Sequence, residues 1–348
     1  MMKTCSILLL ILIIRGVSLQ CTISTFDDTV IRINNVKETI NGCLSPETIT
    51  FKGQITAIAI NNQDNILDLN YGAVQNISSN FRLDLRNNRI EFIREGAFLN
   101  LPGLYYINLR YNEITWIAKN SFKDLPSLSE VLLSDNKITV VWQQAFNNLP
   151  KLRYIAFTGN KLDRFDQDWF SATPNVERLY FGYNQLREIT RGAFINLPNL
   201  KFLLFAQNLL EYIDPDAFKG LRNLEKMTFE DNRLRSIELN LHRPSKLAEL
   251  YIMFNNITYI SDRMLETLRP SLKSFEVYRN PWQCSCLDKI VSWGLKNNIS
   301  VNAGWFRPEL KATAVCVYPT TYSQACLDRG ENEYELGFWA HVWKKKDY

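Results

Sequence analysis

The sequence predicts a solenoid, in which one short structural unit is repeated and stacked in place of a single globular core. Three observations predict it: an Asn that returns at a near-constant interval, a strand-like apolar alternation before each copy, and a second apolar set after it. The Asn falls at Asn88, Asn112, Asn136, Asn160, Asn184, Asn208, Asn232, Asn255 and Asn280, with six gaps of 24 residues, then one of 23 and one of 25. The stretch LRYNEITWIAKNSFKDLP at 109–126 is answered by LSDNKITVVWQQAFNNLP at 133–150.

Each element of the unit has a physical reason. Eight residues before the Asn stands a Leu (Leu104, Leu128, Leu152, Leu200, Leu224, Leu247, Leu272), with Val176 as a substitute. Five and three residues before it, apolar pairs such as Ile107 and Leu109, Leu179 and Phe181, or Met227 and Phe229 alternate with variable residues. Period-two alternation over a short run means a strand with one buried face. A strand this short cannot bury that face alone, so the copies must stack. The Asn sits where the chain leaves the strand, and its amide can both donate to and accept from backbone groups that the turn leaves unpaired. After it come apolar residues such as Ile90, Ile93, Phe98 and Leu101, with a Phe recurring at Phe98, Phe122, Phe146, Phe170, Phe194 and Phe218. These are expected to stack as a column inside the outer wall.

The pattern LxxLxLxxNxIxxIxxxAFxxLPx resembles the extracellular, 24-residue type of leucine-rich repeat. The resemblance covers residues 80–282, with a fainter copy from Ile55 in which Ile58 and Ile60 stand at strand positions and Gln63 in the Asn slot. It implies an α/β solenoid, the leucine-rich repeat horseshoe, with a parallel sheet on the concave face and irregular or short helical turns on the convex face. The repeat after Asn232 lacks the Ala-Phe pair, as does the one that follows, so the outer wall is expected to change shape there.

The organisation expected along the chain is a signal peptide at 1–20, an N-terminal cap region at 21–54, repeats at 55–280, a cysteine-rich C-terminal cap at 281–327 and a tail at 328–348. The opening MMKTCSILLLILIIRGVSLQC has a Lys, an apolar run and then small residues, the layout of a secretory leader cleaved between Ser18 and Cys21. The run from Ile7 to Ile14 is far short of the roughly 20 residues a membrane span needs. The expected mature protein is secreted, extracellular and without a membrane span.

Seven cysteines become six once Cys5 leaves with the leader. Cys21 and Cys43 precede the repeats; Cys284, Cys286, Cys316 and Cys326 follow them. A bridge needs Cα atoms within about 7 Å, so distance along the solenoid leaves Cys21 with Cys43. The last four allow three pairings. The segment NPWQCSCLDKIVSW resembles the start of the C-terminal flank of extracellular leucine-rich repeat proteins, a resemblance that implies Cys284 with Cys316 and Cys286 with Cys326. Zinc is the competing use of four such cysteines, and a secreted chain favours disulfides. Sequons at Asn76, Asn256 and Asn298 are candidate glycan sites.

No HExxH, Walker, GxSxG or GxGxxG pattern is present, and the two histidines, His242 and His341, lie in different parts of the chain. No catalytic, cofactor or metal site is expected. The net charge is +4, and loss of Lys3 and Arg15 with the leader lowers it to about +2, which does not point to nucleic acid. Function is expected instead in the variable strand positions that face the concave side. The first strands are basic (Arg82, Arg86, Arg110), an end that suits a glycosaminoglycan, and the last are more acidic (Glu230, Glu249, Glu276). Between them lies a charge-poor stretch with Leu132, Tyr154, Ala156, Tyr180, Phe202, Leu204 and Ala206; Tyr251 stands on a later strand. Small Thr158, Gly182 and Ala206 lie beside the aromatics. Aromatics over small neighbours are the composition of a binding hot spot, although Tyr, Phe and Leu also favour strands for packing alone. Leu132, Tyr154, Tyr180, Phe202, Leu204 and Tyr251 are therefore the candidate residues for an extracellular protein ligand, with self-association through the same face as another use of it. The family resemblance, to Toll-like and Slit-like ectodomains and small matrix proteins, implies a soluble recognition module in immunity or signalling, a matrix component, or a scaffold subunit of a secreted enzyme.

Overall fold

The computed structural model describes residues 23–304 together with Cys316 and Cys326. Residues 1–22, with the expected leader and Cys21, and the tail at 328–348 lie outside the described residues. Thirteen strands form one continuous sheet. They are β1 (Phe26–Ile33), β2 (Val36–Gly42), β3 (Ala57–Ala59), β4 (Phe81–Asp84), β5 (Leu104–Asn108), β6 (Glu130–Leu132) and β7 (Tyr154–Ala156), followed by β8 (Arg178–Tyr180), β9 (Phe202–Leu204), β10 (Lys226–Thr228), β11 (Glu249–Tyr251), β12 (Ser274–Glu276) and β13 (Ser300–Asn302). From β3 onward every neighbour is the next repeat and every pairing is parallel. The register does not slip where the spacing drops by one residue, since Lys226 still faces Glu249.

The alternation is realised residue by residue. Ile107 and Leu109, Leu179 and Phe181, and Met227 and Phe229 are all fully buried. The nine Asn side chains are buried and make one repeating set of bonds. In Asn184, Nδ2 donates to the Phe157 carbonyl of the preceding turn (2.9 Å) and to the Phe181 carbonyl of its own turn (3.1 Å), while Oδ1 accepts from the Leu162 amide (3.0 Å). Each turn is thereby tied to the one before it, and backbone groups that leave the sheet are satisfied inside the core. The residue just before each Asn carries a positive φ, from Asn87 to Arg279. Chain reversal at that step needs the left-handed conformation whatever the side chain, and the Asn bonds hold it.

The solenoid begins with a hairpin. Asn34 and Asn35, both at positive φ, turn β1 into β2, as a two-residue primed turn requires. β1 then pairs antiparallel with β3, so the hairpin covers the first repeat. At the other end, α1 (Asp262–Leu268) replaces the Ala-Phe wall in the second of the two repeats where that pair is missing. α2 (Cys284–Lys296) lies against β13 and closes the core over Trp282, whose indole Nε1 donates to the Val277 carbonyl. Cys284 bridges Cys316 and Cys286 bridges Cys326, with Cα atoms 4.9 and 4.6 Å apart. This is the first-with-third, second-with-fourth order that the resemblance implied. Cys43 is also disulfide-bonded.

The outer wall is largely built of two-residue parallel steps, for example Trp116–Ile117 between Phe92–Ile93 and Val140–Val141. Behind it the expected Phe column forms: Phe98, Phe122, Phe146 and Phe170 stack at 5.4, 5.1 and 5.3 Å. The column is interrupted before Phe194. In that repeat Trp169 fills the Ala position and Phe165 the Ile position, and the Phe165 ring, 4.8 Å from Phe194, is wedged between the two halves. A 3-10 turn at Gln167–Trp169 absorbs the extra volume.

Candidate functional site

The concave surface is the row of variable residues on β4–β12, and the ladder fixes which of them meet. Tyr154 faces Arg178, which faces Phe202, which faces Lys226. Ala156 faces Tyr180, which faces Leu204. Leu132, Tyr154, Tyr180, Phe202 and Leu204 therefore lie on four consecutive strands, β6–β9, as expected. Tyr251 stands apart, separated from Leu204 by buried Thr228 on β10.

The rings pack on each other as well as facing outward. Tyr154 and Tyr180 meet edge to face at 5.0 Å. The Arg178 guanidinium lies over the Phe202 ring, 5.5 Å from its centre. All five candidates on β6–β9 are half-buried, and Ala156 is wholly buried, so part of the area expected to meet a partner is spent on neighbouring strands. Burial, helped by the nearby Tyr180, pushes the Tyr154 phenol up to about 12. Small side chains open the next row, and Gly182 is flanked by the Ala206 carbonyl and the Thr158 methyl.

Charge is arranged around this island and partly neutralised within the chain. On the N-terminal side Arg86 pairs with Asp84 (3.2 Å) and Arg110 with Asp135 (3.3 Å). Beside the strand starts, Glu177 bridges Arg153 and Lys201. On the C-terminal side Lys226 pairs with Glu249 (2.7 Å), lies over the Tyr251 ring (4.3 Å), and leaves the Tyr251 hydroxyl donating to Glu249 (2.8 Å). Tyr251 thus belongs to an ion-pair cluster. The bond from Lys226 holds the Glu249 carboxyl below its ordinary range, whereas burial raises that of Glu230.

Elsewhere, Asn76 and Asn298 are exposed and Asn256 is half-buried. Among the described residues, no group of three His, Cys, Asp or Glu side chains is placed to hold a metal ion, and no helix is long and apolar enough to cross a membrane. Sequence reasoning missed the Arg178–Phe202 stack and the Arg110–Asp135 pair. For the ion pair the signal was complementary charge one repeat away at a shifted position within the unit, and for the stack it was a cation and a ring at the same position of successive repeats.

The family profile described as leucine rich repeat matches residues 82–138, 126–186, 150–210 and 174–234. Residues 82–234 are leucine-rich repeats. Among curated proteins no relative matches. Solved structures similar to this chain include the crystal structure of TLR13 with ssRNA13, at 23% identity and a TM-score of 0.46, covering 62% of this chain and 34% of that one. Another is the octameric complex of latrophilin 3, Unc5D and the leucine-rich repeats of FLRT2, at 20% identity and a TM-score of 0.58, covering 73% of this chain and 85% of that one. The second likeness is one of fold, carried by the repeated strand and turn.

Proposed function

We propose that this protein is a secreted, non-enzymatic recognition module that holds a protein partner in its concave face, in innate immune recognition or cell signalling. One observation carries the reading. The large side chains on the concave side of β6–β9 are mostly aromatic and aliphatic, grouped around Tyr180 and Phe202, and Arg86, Arg110 and Lys226 on either side are each paired with an acid within the chain. A face so arranged gains from meeting apolar surface more than from meeting charge. Neighbouring strands lie about 4.8 Å apart, so the island is roughly 15 Å wide, a width that suits a loop or flat patch of the partner. Disulfides at the C-terminal end fit an oxidising compartment. The folded, disulfide-closed ends would serve as caps that keep the core of the terminal repeats from water.

The matrix reading, with a glycosaminoglycan on Arg82, Arg86 and Arg110, is weakened by the internal pairing of Arg86 and Arg110. Scaffolding of a secreted enzyme would use the same concave face and is separated from recognition by the identity of the partner. The test is capture from native extracellular fluid by two baits, the wild-type protein and Tyr180→Asp/Phe202→Asp, matched for secretion yield. A partner held by the first and lost by the second supports the concave site. A partner held equally by both moves the site elsewhere.

A further inference from the structure

A second surface, on the outer wall and sharing no residue with the concave face, has the features of a ligand site. Here the chain advances by two-residue steps in parallel register: Phe92 faces Trp116, which faces Val140. The same register continues two residues on, because the Ala118 amide donates to the Ile93 carbonyl and the Trp142 amide to that of Ile117. Ile93, Ile117 and Val141 point inward and are buried. Alternation therefore turns Phe92, Trp116 and Val140 outward in one row and Arg94, Ala118 and Trp142 outward in the next.

In this grid Ala118 is a small residue among large ones, and the result is a recess of about 420 Å³ walled by Trp116, Val140 and Trp142. Trp142 is 58% exposed and stacks on no other ring among the described residues. The fold does not demand it, since the same position holds Arg94, Ala118, Asp166, Thr190 and Asp214 in other repeats. On the far side the Arg94 guanidinium lies over both the Phe92 and Trp116 rings, at 5.1 and 5.3 Å, and pairs with Asp68. One wall is thus preformed and the other is an open indole.

The polar groups of the recess decide the ligand class. Glu95 and Lys119 both line it, with the Thr139 hydroxyl beside them. Lys119 has no ion pair among the described residues, and Glu95 accepts from Asn120, which leaves its second oxygen for a ligand. One carboxylate and one ammonium give no net charge, so an anionic or cationic ligand meets a like charge along with its opposite. A ligand with many hydroxyls uses both groups, donating to the first and accepting from the second. An indole face is matched by an apolar C–H face carrying slight positive charge. We infer that the recess between Trp116 and Trp142 binds a neutral pyranose sugar, with the ring stacked on Trp142 and its hydroxyls reaching Glu95 and Lys119. The volume fits one or two sugar rings.

The test uses the full-length protein with cellotriose, maltotriose and chitotriose as probes, followed by saturation-transfer NMR and by tryptophan fluorescence. Hexaproline and a heparin tetrasaccharide serve as probes of the competing ligand chemistries. The variants are Trp142→Ala, which removes the open wall, Ala118→Leu, which fills the recess, and Tyr212→Ala, which removes an exposed ring three repeats away. All are matched for melting temperature. The expected result is saturable binding of at least one neutral trisaccharide, weakened about tenfold or more by Trp142→Ala and by Ala118→Leu and unchanged by Tyr212→Ala. The proposal is overturned if no neutral sugar binds saturably, if binding is indifferent to both recess variants, or if hexaproline or the heparin fragment binds there more tightly.

Discussion

The ring of Tyr154 on β7 meets the ring of Tyr180 on β8 edge to face, with centres 5.0 Å apart. The pair stands at the middle of the concave sheet and makes both a packing contact and an exposed surface. Burial keeps the Tyr154 phenol protonated to about 12, two units above an ordinary tyrosine at about 10. Between those values the folded chain binds more protons than the unfolded one. Its contribution to stability is therefore complete below about pH 10 and is lost as the pH rises toward about 12. Tyr154→Phe is expected to flatten the fall in stability across that window, read as urea midpoints at several pH values. An unchanged slope contradicts a protected phenol.

The Asn ladder is expected to be the costliest polar feature to break. Asn184→Ala leaves the buried Leu162 amide without a partner and takes one of two donors from each of the Phe157 and Phe181 carbonyls, which keep their bonds from Asn160 and Asn208. An orphaned buried group costs about 1–3 kcal/mol and each other lost bond about 0.5–1.5 kcal/mol, so a loss of at least about 2 kcal/mol is expected in chemical unfolding. Asn196→Ala, at an exposed site without a positive φ, should change it by less than about 0.5 kcal/mol.

Within the Phe column, Phe146 lies between Phe122 and Phe170 at 5.1 and 5.3 Å. Phe146→Ala should cost about 3–5 kcal/mol. Ile195, which is 67% exposed, tolerates Ser within about 0.5 kcal/mol.

Gly294 in α2 tests the closure of the C-terminal end. An added Cβ would lie 2.3 Å from the Val301 Cγ2 atom of β13 and 3.1 Å from the Ile299 carbonyl oxygen. Ala gains about 1 kcal/mol of helix propensity over Gly, but the clash costs about 1–3 kcal/mol. Gly294→Ala is expected to lower the melting temperature, and adding Val301→Ala to restore part of it. A rise in the single variant contradicts the packing of α2 on β13.

The internal pairing of Arg86 with Asp84 and Arg110 with Asp135 predicts weak heparin affinity, with elution from a heparin column at or below about 0.15 M salt, where exposed charges are already screened over about 8 Å. Asp84→Ala/Asp135→Ala should then elute later. Strong retention of the wild-type chain favours the matrix reading instead.

The solenoid was legible because its period is imposed by the backbone. The Asn that satisfies the turn must return whenever the turn returns, and the buried pair before it, such as Ile107 and Leu109, must alternate. That logic also placed Tyr154, Tyr180 and Phe202 on one face. It did not place the break at Phe165 and Trp169, because a larger apolar residue keeps the periodic pattern while changing the volume to be packed. Nor did it show how far Tyr154 is covered by Tyr180, or that Tyr251 is drawn into the Lys226–Glu249 pair. Those depend on side-chain directions across strands, and spacing along the chain does not record them. The Cys284–Cys316 and Cys286–Cys326 order came from likeness to related flanks, since residue spacing alone left three pairings open.

The measurement that bears most directly on the concave site is the affinity of the captured partner for wild-type protein and for Phe202→Ala, each at about 0.15 M and 0.5 M salt. A central anchor is worth about 2 kcal/mol or more, or roughly thirtyfold in Kd. The expected result is a loss of that size for Phe202→Ala at both salt concentrations, with the wild-type affinity changing little between them. Equal affinities for the two proteins, or wild-type binding that vanishes at the higher salt, would contradict recognition through the aromatic island.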